Sequence, residues 1–189
     1  LHAGWGRFDT ARVFLRRAAE GWMDLDELPE CSYPLCELVR VAGLSGDADA
    51  LDEAERLARR CLADPRTTDH ARTFLQLALG RAYATLGRSE RARAALADGA
   101  APWTEAYGHV RGSRLRWLAR VDPDGPHGAR LEALAAGDGE AEFALRLARA
   151  DAGDLAALDA LGPDDARQIA RCRRVADGVL PRALALFPY

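Results

Sequence analysis

The sequence predicts an all-α fold, a superhelical array of antiparallel helix pairs that ends in an irregular helical cap at the C-terminal end. Leucine and alanine dominate the 189 residues, and Ile169 is the only isoleucine. No long stretch alternates apolar and polar residues with a period of two, so strands are poorly supported. Glycines and prolines separate runs of helical length. With 49% hydrophobic residues, the chain can bury a sizeable core as a single domain, residues 1–189.

Within residues 5–21 the first helix is predicted, after a glycine turn at Gly4 and Gly6. Its apolar stripe consists of Phe8, Ala11, Leu15 and Ala18. Because its glycines and apolar residues are spaced as in the best-matching repeat described below, residues 4–21 are predicted to be a half repeat whose first helix lies upstream of the sequence. The acidic stretch 22–32, which contains a proline, is a predicted linker.

Residues 33–65 form the first complete predicted pair. Pro34 is the predicted first residue of a helix that Gly43 and Gly46 end. Asp49 is the predicted N-cap of the second helix. The apolar face of that second helix consists of Leu51, Ala54, Leu57, Ala58, Cys61 and Leu62.

Residues 70–99 show the clearest pair. The first helix is apolar almost all round, which predicts a helix buried on several sides. Gly87 ends it, and Ser89 is the predicted N-cap of the second helix. The small residues Gly80 and Ala92 are expected where the two helix axes cross, because minimal side chains let the backbones approach closely.

This pair carries the motif L-G-x-x-Y-x-x-L-G-x-x-x-x-A-x-x-x-L. The motif is formed by Leu79, Gly80, Tyr83, Leu86, Gly87, Ala92 and Leu96. It resembles the tetratricopeptide repeat (TPR) family. The resemblance implies an α-solenoid in which the first helix of each pair lines a concave surface that binds a peptide or another protein. The preceding pair is offset by 38 residues, compared with the family's usual period of about 34.

After this pair the repeat pattern weakens. Residues 103–137 form a predicted degenerate repeat, in which Gly108 and Gly112 make a smooth strip for a neighbouring helix and Pro126 begins the second helix. Residues 139–189 are the predicted helical cap. Atypical terminal helices are expected there, because a cap covers the last repeat on one side and faces water on the other.

Alignment of the pairs on their crossing residues gives nine candidate partner-binding residues on the concave face that the resemblance implies. They are Cys36, Val39, Phe74, Leu77, Arg81, Thr85, Arg111, Arg114 and Leu118. Arginine presents a planar fork to carboxylates, so an acidic peptide or a carboxylate-bearing tail is the implied partner. With 29 acidic residues in the chain, the alternative is that these arginines pair with neighbouring repeats. Lysine and asparagine, expected in TPR modules that hold C-terminal carboxylates, are absent, which weighs against that specific activity.

Composition excludes several other classes. The net charge of −3 argues against a general affinity for nucleic acid or for an anionic membrane. No signal peptide and no apolar run of membrane-spanning length are present, so a cytoplasmic location is predicted. All 26 basic residues are arginine, which indicates a GC-rich, bacterial source. The four cysteines lack the spacing of a zinc site, so plain thiols and no metal are predicted.

No cofactor and no catalytic residue are predicted, because the sequence has no phosphate loop, dinucleotide fingerprint, nucleophile elbow or His-Glu-x-x-His motif. Glu105 and His109 share a helix face and could be half of an acid/base or metal site, but ordinary surface pairing explains them equally well. The predicted function is a protein–protein interaction scaffold, binding a partner protein or another domain of its own chain as the sensor or regulatory arm of a larger bacterial protein. A module of a transcriptional regulator and a helical enzyme with an unrecognised site are the alternatives.

Overall fold

The computed structural model describes residues 7–27, 30–98 and 108–151. These ranges contain eight α-helices and no β-strand, so the predicted all-α class is confirmed. None of the helices described is long and apolar enough to cross a membrane. The chain divides between Ala106 and Tyr107 into two compact units, each with its own set of packed helices.

The first unit contains five helices. They are α1 (Phe8–Asp24), α2 (Ser32–Ser45), α3 (Ala48–Ala63), α4 (Asp69–Thr85) and α5 (Ser89–Asp98). Helix α2 packs against α1, α3 and α4, while α4 packs against α2, α3 and α5. Helices α2 and α4 therefore form the centre of this unit.

Two tight turns of the first unit have the same layout. Gly46 follows α2 and Gly87 follows the last turn of α4, and each has a φ of +72°. Glycine is favoured there because an L side chain is strained in the left-handed region. In both turns the next helix begins two residues after the glycine. The predicted turn at Gly87 is confirmed, but Gly43, expected to help end α2, lies inside it.

The starts of α2 and α3 differ from the prediction. Helix α2 begins at Ser32, two residues before Pro34, because the first turn of a helix does not use the N–H that proline lacks. The N-cap of α3 is Asp47, whose carboxylate accepts a hydrogen bond from the Ala50 N–H at 3.0 Å. The predicted cap, Asp49, lies in the first turn of α3 instead.

Helix α1 extends to Asp24, three residues into the predicted linker. Its buried positions are Ala11 and Ala19, whereas Ala18, predicted on the buried stripe, is exposed. Both Ala18 and Ala19 follow Ala11 by about two helical turns, so periodicity alone does not choose between them. In the fold Ala19 is the buried one, and the Cys31 thiol donates a hydrogen bond to its main-chain carbonyl at 3.3 Å.

Helix packing in the first unit depends on two glycines. A Cβ atom at Gly43 would stand 2.8 Å from both Cα and Cβ of Ala82, so α2 and α4 approach closely there. At Gly80 a Cβ atom would stand 2.5 Å from Cγ of Leu96. The predicted neighbour of Gly80 was Ala92, so the crossing lies one helical turn further along α5. Helix α4 has ten buried residues, as expected for a helix with apolar residues on almost every side.

The second unit, as far as it is described, contains α6 (Gly108–Val121), α7 (His127–Ala135) and α8 (Gly139–Asp151). Each of these helices packs against the other two. A Cβ atom at Gly112 would stand 3.0 Å from Cβ of Ala144, so the neighbour that this glycine admits is α8. The predictions for residues 99–107, for Glu105 and for the helices after Asp151 lie outside the described residues.

Candidate functional site

The nine predicted partner-binding residues lie in α2, α4 and α6, and differ in exposure. Four have buried side chains: Val39, Leu77, Arg81 and Leu118. Five are partly exposed: Cys36, Phe74, Thr85, Arg111 and Arg114. Arg81 is only 8% exposed, so in this conformation it offers little of its guanidinium group to a partner. The partly exposed five are the members of the set that can contact a ligand directly.

Helix α2 has an outward face that the sequence alignment missed. Tyr33 is 67% exposed, Glu37 is exposed and Arg40 is partly exposed. These residues follow one another at i, i+4 and i+7, so they lie on one side of the helix. Arg40 Nε donates a hydrogen bond to the Glu37 carboxylate at 2.9 Å. Alignment on the crossing residues placed the buried Val39 on the concave binding face. The spacing of these three polar and aromatic residues was a usable signal for the exposed side of α2.

Cys36 of α2 lies close enough to Arg81 of α4 to be affected by its charge. Although part of Cys36 is exposed, burial of its sulfur raises the pKa of the thiol to about 12, and the nearby positive charge of Arg81 acts in the opposite direction. Burial likewise raises the pKa of Cys31 to about 12 and raises the pKa of Cys61. These cysteines are free thiols, and in the neutral form they are weak nucleophiles.

Helix α4 contains an aromatic pair. The rings of His70 and Phe74, one helical turn apart, have centroids 4.6 Å apart and are tilted by 43°. Both residues are partly exposed. Tilted aromatic contacts of this kind fix the ring positions, so Phe74 presents a defined apolar surface.

Helix α6 of the second unit presents Arg111 and Arg114 on neighbouring positions of one face. Trp117 of the same helix is buried, with the guanidinium groups of Arg116 and Arg120 at 5.4 and 5.2 Å from its ring. These distances are within the range of cation–π attraction. Trp117 therefore belongs to the packed interior, whereas Arg111 and Arg114 are partly exposed.

Arginines outside the nine residues pair with neighbouring helices of the first unit. Helix α3 and its N-cap supply the carboxylates, and α1, α5 and the residue before α5 supply the arginines. The pairs are Arg12–Asp47 at 2.5 Å, Arg16–Glu53 at 2.6 Å, Arg88–Asp52 at 2.5 Å and Arg91–Glu55 at 3.4 Å. Ion pairs therefore join α3 to the helices on both of its sides.

Glu55 is the most enclosed carboxylate of these pairs, with an 11% exposed side chain. Burial alone would raise its pKa, but the Tyr83 hydroxyl and the positive charges of Arg59 and Arg91 outweigh burial and hold the pKa below its ordinary value. Burial, followed by the adjacent carboxylate of Glu55, raises the pKa of Tyr83 to about 12. The network thus contains a charged carboxylate and a neutral phenol at neutral pH.

No metal-binding group of three or more His, Cys, Asp or Glu side chains occurs within the described ranges. The partly exposed residues of α2 and α4 instead combine aromatic rings, a thiol and charged groups. Comparison of the chain with protein-family models, with curated proteins and with solved structures gives no match. The candidate surface, and not a relationship to another protein, therefore carries the functional argument.

Proposed function

We propose that this protein is a protein–protein interaction scaffold whose helix pairs form a TPR-like α-solenoid, and that a peptide or partner domain binds the face formed by α2 and α4. The observation that carries the proposal is the packing order of the first unit. Each first helix, α2 or α4, contacts its own second helix and the first helix of the neighbouring pair. This is the neighbour relation expected of stacked repeats.

The chemistry of the α2–α4 face supports binding of a polypeptide. Tyr33, Glu37 and Arg40 of α2 provide an aromatic ring and both signs of charge, and Phe74 of α4 adds a second ring. Exposed aromatic residues and arginine are enriched at protein interfaces. Apolar contacts with the rings would hold a bound segment, and the charged groups would select its sequence.

The partner that we propose is an acidic peptide, or an acidic segment of another domain of the same chain, with the module acting as a sensor or regulatory arm. Arg111 and Arg114 of α6 are the partly exposed guanidinium groups among the predicted site residues. A guanidinium group can bind a carboxylate through two parallel hydrogen bonds. The buried Arg81 would contribute to binding only after a change in the packing of α4.

Site-specific photo-crosslinking tests the α2–α4 face. A photo-reactive phenylalanine analogue at Tyr33 is expected to capture a discrete partner from a bacterial lysate, and Phe74→Ala should reduce the yield. The matched control carries the same analogue at Arg56, an exposed residue of α3. Capture of the same products in equal yield at Arg56 would show that the α2–α4 face is not the binding surface.

The acidic partner is tested separately, with the double variant Arg111→Ala/Arg114→Ala. With the photo-reactive analogue at the partly exposed Val121 of the same helix, capture should fall severalfold if the partner is acidic, because two charge-assisted contacts are lost. Arg81 is left unchanged in this variant, because its replacement would disturb the interior of α4 as well as the surface. Equal capture by the double variant and the wild type would contradict the acidic partner while leaving the binding face itself supported.

A further inference from the structure

A groove of about 410 Å³ lies between α1 and α3, with Leu38 of α2 among its lining residues. Leu38 and Ala54 are buried and provide apolar surface, and the half-exposed Val13 forms part of the wall. The volume is within the range of pockets that hold small molecules or inserted side chains. The α2–α4 face contributes none of its partly exposed residues to this groove, so the two sites are separate.

The charges around the groove are unbalanced. Its lining includes Asp9, Arg12, Arg16, Asp47, Asp49 and Glu53. Arg12 is already bound to Asp9 and Asp47, both at 2.5 Å, and Arg16 is bound to two glutamates at 2.8 and 2.6 Å. The exposed Asp49 forms no ion pair with any residue that the structure describes. Four carboxylates face two guanidinium groups that are each shared between two acids, so the groove attracts positive charge.

We propose that this groove binds an arginine or lysine side chain that a partner polypeptide inserts between α1 and α3. The aliphatic part of such a side chain would lie on Leu38 and Ala54, and its cationic end would reach the carboxylates of Asp49 and Glu53. An anionic ligand fits poorly, because both guanidinium groups are already neutralised.

A polypeptide fits the groove better than a free amine does. Val13, in the wall of the groove, is 50% exposed. A peptide can cover Val13 with the residues that flank its cationic side chain while that side chain fills the groove. A free amine has no flanking residues, so it would leave more of Val13 in water.

The charge requirement is tested by fluorescence anisotropy with the labelled, capped peptide Ala-Ala-Arg-Ala-Ala-Arg-Ala at low salt. Asp49→Asn should weaken its binding about three- to tenfold, as expected for loss of one rim carboxylate. The matched control is Asp52→Asn, which removes the same charge from the same helix but on the side that bonds Arg88. Asp52→Asn should change the affinity less than about twofold. Equal losses in both variants would mean attraction by net charge alone, and would overturn the proposal.

The shape requirement is tested with Ala50→Leu, which fills part of the groove and leaves every rim charge in place. Ala50 lines the groove and is partly exposed, so the larger side chain has room without disturbing the core. We expect about tenfold weaker peptide binding, the scale of a blocked apolar contact. Unchanged binding to this variant, or equal binding of the same peptide with neutral citrulline in place of arginine, would overturn the proposal.

Spermidine tests the alternative that the groove binds a free cationic amine. The polypeptide assignment predicts that spermidine competes with the peptide only weakly, because it has no flanking residues that could cover Val13. Tight spermidine binding that is lost in Asp49→Asn, together with no measurable binding of the peptide, would assign the groove to a free amine and reject the polypeptide partner.

Discussion

Helix α3 is joined to a neighbour on each side, and the two junctions are filled differently. Toward α5, Arg91 pairs with Glu55, and the buried Tyr83 of α4 lies beside both, with the guanidinium of Arg91 5.9 Å from its ring centre. Toward α1, Arg12 and Arg16 pair with acids of α3 and its N-cap, and the space between the helices remains a groove. Similar ion pairs therefore accompany a packed core in one junction and an open site in the other.

The two central helices supply different side chains to these junctions. Helix α4 supplies the buried Tyr83 beside Glu55, whereas the α2 residue that lines the groove is Leu38. The carboxylates differ accordingly, because the side chain of Glu55 is 11% exposed and those of Asp47 and Glu53 are 40% and 42% exposed. The aromatic side chain thus belongs to the packed junction, and the aliphatic one to the junction that keeps a groove.

The largest expected effect comes from truncating Tyr83, the aromatic side chain in the packed junction. Tyr83→Ala should lower the free energy of unfolding by about 3–4 kcal/mol, the usual result of truncating a buried aromatic residue. Leu38→Ala, in the lining of the open groove, should cost about 2 kcal/mol, because part of its surroundings is already accessible to water. Denaturant unfolding followed by circular dichroism measures both values. A larger loss for Leu38→Ala than for Tyr83→Ala would reverse the comparison between the two junctions.

The next effect concerns the contact between α2 and α4, the two helices that border the two junctions. Gly43→Ala places a Cβ atom 2.8 Å from the backbone of Ala82, so the two helices must separate. We expect a loss of about 1–3 kcal/mol from overpacking, which exceeds the gain of about 1 kcal/mol in helix propensity. In the control Gly21→Ala a Cβ atom meets nothing within 4 Å, and stability should rise by about 0.5–1 kcal/mol. Equal signs for the two variants would contradict a close α2–α4 contact.

Acid should weaken the packed junction through Glu55. Its pKa is lower in the folded protein than in the unfolded chain, so the ionised carboxylate stabilises the fold above the unfolded pKa of about 4.3. That contribution is lost as the pH falls through the lower folded value. Glu55→Gln should cost about 1–2 kcal/mol at pH 7, typical for a hydrogen bond to a charged group, and should flatten the loss of stability below about pH 4. Parallel pH profiles for wild type and Glu55→Gln would exclude this role of Glu55.

The sequence predicted the structure of the first unit best where the informative residues all lie in one helix or in the turn that follows it. The apolar periphery of α4 predicted its burial, and the glycine requirement predicted the turn at Gly87. On α2 the prediction chose Cys36 and Val39, each one residue before Glu37 and Arg40 of the exposed face. The alignment used residues at helix crossings, which indicate where helices touch and not which side is exposed. Tyr33 and Glu37 are separated by one helical turn, so their spacing on its own would have indicated that face.

The groove could not be predicted in the same way, because it depends on the distance between helices that are far apart in sequence. Arg12 and Asp47 are 35 residues apart, and nothing in their local sequence shows that they meet. The exposed Asp49 was interpreted as a helix cap, whereas Asp47 takes that role. The acidic excess around the groove appears only when α1 and α3 are placed side by side.

The smallest effects distinguish packing from charge as the cause of the difference between the junctions. The Arg12–Asp47 and Arg88–Asp52 pairs have equal N–O distances of 2.5 Å, with arginine side chains 24% and 27% exposed. Double-mutant cycles with Arg→Gln and Asp→Asn should give coupling energies of about 0.2–1 kcal/mol for each pair, and salt should reduce both. Asp47→Asn is suitable because asparagine can still cap α3. If the two coupling energies agree, the ion pairs are equivalent and Tyr83 accounts for the difference in stability between the junctions. A coupling energy above about 2 kcal/mol at Arg88–Asp52 alone would mean that electrostatics causes the difference in stability between the junctions.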